Sequence, residues 1–245
     1  MQIQTLRPEL RKNLRDLLQG YVEHCEFSSH LTGRIDFPIY YQGFKYGAPV
    51  FTHLGPGGKD QDRPVIGLIG WNGPQTSLPS QVLLQFIEIL TQHPRLADSS
   101  VLRILPVANP VALELEADAP ERGEWDLLDR LADQFKDQSA DGWIEVESAD
   151  VPEFSLSGEI SPDLIDELST LAEIFRDRPG LILPTDLDLT PSRADERWQL
   201  KLVVPSFWSD SASIHGVARF VVRLVHAHSE LLARKRRHPQ RQSSP

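Results

Sequence analysis

The stretch RPVIGLIGWNGPQTSLPSQVLLQFIEIL, residues 63–90, changes its hydrophobic period partway along. Its first part, Val65 to Gly70, is an unbroken apolar run of strand length, as expected for a strand buried on both faces. From Pro79 to His93 the apolar residues Val82, Leu83, Phe86, Ile87 and Leu90 recur at helical spacing, until Pro94 ends the pattern. A second short apolar run follows in VLRILPVANP, residues 101–110, and predicts a strand over Val101–Val107 stopped by Pro106 and Pro110. Strand, helix, strand over some forty residues is the signature of a parallel βαβ unit.

Working outward, Leu6, Leu10, Leu14, Leu17, Leu18 and Val22 predict a helix over 6–25. Two β-like runs, Phe37–Phe44 and Pro49–Leu54, are broken by Gly43 and Gly47. Beyond the βαβ unit the pattern predicts helices over Glu124–Phe135 and Ser213–Ala233, and one opened by Ser161-Pro162 as N-cap and first residue. Strands are expected at Trp143–Val146, at LILP from Leu181 and at Gln199–Val204. This alternation implies one three-layer α/β/α domain over residues 1–235, with a mainly parallel, mixed central sheet.

The 245 residues carry a formal net charge of −10, which disfavours a nucleic acid or an anionic membrane as partner. The charge is uneven. Glu114–Asp177 holds twenty acidic residues against four basic ones, whereas Arg234, Lys235, Arg236, Arg237 and Arg241 crowd the C-terminal end. Residues 236–245 are therefore expected to be a solvated, disordered basic tail. The single cysteine, Cys25, excludes an internal disulfide and a cysteine-rich zinc module. No stretch has the apolar length of a signal peptide or a spanning helix, so a soluble cytoplasmic protein is expected.

Familiar motifs fail on spacing. Gly67, Gly70 and Gly73 do not fit GxGxxG, and are better explained as small residues packing at a strand end. In Gly57-Gly58-Lys59-Asp60 an aspartate stands where a phosphate loop needs Ser or Thr, and His53 stands where its first glycine belongs. No GxSxG surrounds Ser206 or Ser209, so these residues and His215 do not suggest a nucleophile elbow. His24, Cys25 and His30 match no closed zinc site, and His226 and His228, two apart on a helix, point away from each other.

The order FPIYYQGF…GAPVFTHLG…RPVIGLIGWNGPQTSLPSQVLLQFIEIL…VLRILPVANP resembles the opening of the zinc carboxypeptidase superfamily, in its succinylglutamate desuccinylase and aspartoacylase-like branch. There a buried strand runs into HGxE, then a helix, then a strand ending in PxxNP; Pro106-Val-Ala-Asn109-Pro110 keeps that last element at the right distance. The resemblance covers most of residues 35–228. It implies a zinc-dependent carboxypeptidase or amide hydrolase of that fold.

The positions that would carry the chemistry are changed. The HGxE ligands align with Asn72 and Gln75, the second histidine ligand with Glu147, and the general-base glutamate with Val203. The arginine expected to hold the substrate carboxylate has its nearest counterpart in Arg130, within Asp126-Leu-Leu-Asp-Arg130, which has an extra residue and an aspartate for the asparagine. Zinc needs three strong ligands and an open position for water, and two neutral amides with one carboxylate do not provide them. Valine cannot accept the proton of an attacking water. The expectation is a non-catalytic member of the fold, with no metal or other cofactor, binding a small molecule or peptide or a protein partner. The competing expectation keeps zinc and hydrolysis on an unusual ligand set, such as His53 with Glu147 and an acidic neighbour. Glu147 lacks an obvious partner unless Arg130 or Lys201 pairs with it.

Overall fold

The structure is a computed structural model that describes residues 8–41, 44–56, 63–71, 76–108, 131–175, 182–192 and 197–237. In chain order it contains α1 (Pro8–Phe27), β1 (Leu31–Tyr41), β2 (Phe44–Leu54), β3 (Val65–Trp71), α2 (Leu78–Gln92), a 3-10 turn (Pro94–Ala97) and β4 (Val101–Leu105). A helical stretch over 131–137 (α3) follows, then β5 (Gly142–Ala149), β6 (Ser155–Ile160), α4 (Pro162–Phe175), β7 (Asp186–Pro191), β8 (Trp198–Pro205) and α5 (Ser211–Arg237).

The eight strands form one mixed sheet in the order β1-β2-β4-β3-β5-β8-β6-β7. β4, β3, β5 and β8 are parallel neighbours, while β2 and β6 join them antiparallel, and β1 and β7 are the edges. Strand period and burial explain the layers. One face of the sheet presents Ile66, Leu68, Leu102, Ile104, Ile144, Val146, Leu200, Leu202 and Val204 to a core closed by α1, α2, α4 and α5. The other face is covered in part by α3, whose Leu131 and Phe135 pack with Ile69, Leu105, Val50 and Phe37. Helices on both faces make the three-layer α/β/α architecture.

α2 forms where the helical period begins. Pro79 sits in its first turn, where the missing N–H is not needed, and Val82, Leu83, Phe86, Ile87 and Leu90 are buried along one side. α5 is capped by Asp210, whose carboxylate accepts from the Ser213 N–H at 2.9 Å and the Ser213 hydroxyl at 2.6 Å. The basic run Arg234–Arg237 continues this helix, and residues 238–245 lie outside the described residues.

Several elements differ from expectation. The runs expected at Phe37–Phe44 and Pro49–Leu54 belong to the longer strands β1 and β2, β6 and β7 carry no sequence signal, and 182–184 of the expected LILP strand are not a strand. Ile182 and Leu183 are apolar because they pack on the main core. Residues 124–130 of the expected helix lie outside the described residues.

Candidate functional site

β3, β4, β5 and β8 run in the same direction, so the segments following them leave from one edge of the sheet. The chain goes from β3 to β4 on one side and later returns to β5 on the other. β3 and β5 therefore flank the point where strand order reverses, the place where open α/β sheets hold ligands.

Close neighbours account for the two described glycines of β3. A Cβ on Gly70 would lie 2.2 Å from the Pro106 carbonyl oxygen, and one on Gly67 would lie 2.3 Å from Ser139 Oγ. The Ala108 N–H donates to the Gly70 carbonyl at 3.0 Å across the same approach. Gly70 makes room for the Pro106 backbone and Gly67 for the Ser139 side chain, a packing role as expected from their spacing.

At this edge the register sets Trp71 of β3 beside Glu147 of β5, and Glu147 beside Val203 of β8. The row continues through Ser155 of β6 to Asp186 of β7. Neighbouring strands are ~4.8 Å apart and register partners share a face, so Glu147 and Val203 are adjacent side chains. They are separated by 56 positions in sequence. Asn72, Gln75 and Arg130 lie outside the described residues.

Glu147 is not free. The Lys201 ammonium donates to Glu147 Oε2 at 2.8 Å, with the two side chains 47% and 29% exposed. Lys201 is two residues before Val203 on β8 and faces the same way. One row below, Glu145 pairs with Lys136 of α3, whose ammonium lies 5.7 Å from the centre of the Trp143 ring. Each carboxylate that β5 presents on this face is thus matched by a lysine. The sequence alone did not show the second pair.

The described residues at this edge do not suit zinc. Glu147, which the family resemblance aligns with a ligand position, is already paired to an ammonium that a dication bound there would have to displace. Beside it, Val203 offers no acceptor. Among the described residues no three His, Cys, Asp or Glu side chains converge on a common point.

The alternative ligand set containing His53 and Glu147 is excluded by register. His53 pairs with Leu102, Leu102 with Ile66, and Ile66 with Gly142, five residues before Glu147 on β5. That places the two side chains ~14 Å apart across the strands and ~16 Å along them, on opposite faces of the sheet. His53 is instead buried beneath the α1 side, 1% exposed, with no hydrogen bond to either ring nitrogen. Burial, with the nearby His30, lowers its pKa to about 4. The remaining candidates are structural too. His226 Nδ1 lies 3.0 Å from the Leu96 carbonyl oxygen, while His228 packs edge-on against Trp198 at 4.4 Å. Burial pushes the Cys25 thiol up, the reverse of what an activated nucleophile needs.

No helix among the described residues is long and apolar enough to cross a membrane. No protein-family model matches the sequence, and no curated protein matches it. Solved structures do match. A metallo-carboxypeptidase from Burkholderia cenocepacia aligns with TM-score 0.60 and 13% identity, over 89% of this chain and 69% of that one. A metallo-carboxypeptidase from Pseudomonas aeruginosa, solved with (2-guanidinoethylmercapto)succinic acid, aligns with TM-score 0.58 and 15% identity over 91% and 69%. An aspartoacylase family protein from Mesorhizobium loti aligns with TM-score 0.50 and 12% identity over 82% and 61%. At such identities the likeness concerns architecture, and the architecture is clear: this chain is built on the metallo-carboxypeptidase fold.

Proposed function

We propose that this protein is a non-catalytic member of the carboxypeptidase-like fold that uses the carboxyl edge of its sheet to bind a small molecule, peptide or protein. The observation that carries this reading is the Lys201–Glu147 ion pair beside Val203, in the row at the carboxyl ends of the parallel strands. In a metal-dependent hydrolase that row must supply an unpaired ligand and a proton acceptor. Here it supplies an internally neutralised pair and a valine. The amides Asn72 and Gln75, which follow β3 in sequence, extend the same logic: they can hydrogen-bond a ligand while holding a metal poorly.

The test is metal analysis of the purified protein, together with hydrolysis assays on N-acyl amino acids and short peptides with and without chelator. The reading expects zinc far below one per chain and no chelator-sensitive release of an amine. About one tightly held zinc per chain would overturn it.

A further inference from the structure

β1 is an edge of the sheet, and among the described residues nothing pairs along its outer side. Thr32, Gly33, Arg34 and Ile35 are exposed in succession there. An open edge of this kind readily pairs with another chain unless it is blunted.

Two properties of this edge suit it to a copy of itself. The first is apolar exposure. Ile35 is 64% exposed, and Val22 of α1 is 48% exposed. Cys25 Sγ lies 3.6 Å from the Cβ position of Gly33, so α1 crosses the face of β1 that Ile35 shares. Val22 is one helical turn before Cys25 on the same side.

The second property is charge. Arg34 and Asp36 lie on the opposite face, where Arg34 donates to Asp36 at 2.6 Å and Asp36 also accepts from Arg103 at 3.4 Å. In an antiparallel two-fold pairing centred on Ile35, Ile35 meets Ile35 and each Arg34 meets the other copy's Asp36. Registers that keep the faces matched differ by steps of two residues. Centring on Arg34 would oppose two guanidinium groups. Centring on Gly33 would leave Ile35 opposite Leu31, which is already buried. The far edge behaves differently: pairing β7 with itself about Leu187 would set Asp186 against Asp188.

We propose that β1 forms the seam of a homodimer in which two copies join antiparallel about Ile35, exchanging Arg34–Asp36 pairs. The ladder is short, because the register to β2 shifts after Asp36 and Phe37 takes a φ of 52°. The dimer is accordingly weak and concentration-dependent.

Light scattering coupled to size exclusion tests this across low to high micromolar concentrations of the full chain. The mass should rise from one chain toward two. Ile35→Lys and, separately, Arg34→Glu should each weaken the association at least tenfold; circular dichroism would check that each variant keeps the parent's fold. In a Cys25→Ser background, Ile35→Cys should cross-link into a covalent dimer on mild oxidation, and Thr32→Cys should not. A single-chain mass throughout, a dimer unaffected by Ile35→Lys, or equal cross-linking at residue 32 would overturn the proposal.

Discussion

The Lys201 ammonium holds the Glu147 carboxylate at 2.8 Å, across the boundary between two parallel strands and beside the apolar Val203. Because both side chains are partly solvated, the pair is expected to matter more for what the site can bind than for stability. A double-mutant cycle with Glu147→Gln and Lys201→Met should give a coupling of about 0.2–1 kcal/mol in urea denaturation. A coupling several times larger would show a dry, enclosed pair and contradict the open edge described above.

Gly70 should tolerate no side chain. An added Cβ would press on the Pro106 carbonyl, which is backbone and cannot rotate away. Gly70→Ala is expected to destabilise by about 1–3 kcal/mol. Chemical denaturation checks this, and a neutral result would mean that the segment after β4 sits farther from β3.

His53 should make stability depend on pH. Its folded-state pKa of about 4 lies below the ordinary 6.5, so the unfolded chain takes up a proton first as the pH falls. The neutral, buried form contributes fully above pH 6.5; that contribution declines between 6.5 and about 4, with a ceiling of about 3 kcal/mol. Urea midpoints at pH 7.5, 6 and 4.5, compared between the parent and His53→Leu, isolate the effect. The variant should lose less stability on acidification, and parallel losses would refute the burial of this imidazole.

Much of the architecture was legible because its segments are periodic. VIGLIG and the stripe on α2 announced β3 and the first crossover, and PVANP placed the end of β4. β6 and β7 escaped notice for a physical reason. SLSGEI is half polar, and DLDLTP is an edge strand exposed on nearly every residue, so neither carries an alternation that burial would impose. In the candidate site, Glu147 and Val203 could be read as residues of one sheet edge, their partners less so. Glu147 and Val203 were singled out by their motif context, and the register makes them neighbours. The Lys136–Glu145 pair joins α3 to β5 and becomes visible only once the helix is laid against the sheet.

On the function proposed above, the row holding Glu147 and Val203 has lost its metal ligands on a scaffold that could still carry them. The most direct test is calorimetric zinc titration of the parent against Asn72→His/Gln75→Glu/Glu147→His, with Lys201→Gln added to remove the ammonium left unpaired. Two imidazoles and a carboxylate leave a fourth position for water. The parent should bind no zinc, the fourfold variant one zinc per chain, and the variant that keeps Lys201 should bind more weakly. A parent that binds zinc as well as the variant, or a variant that binds none, would contradict it.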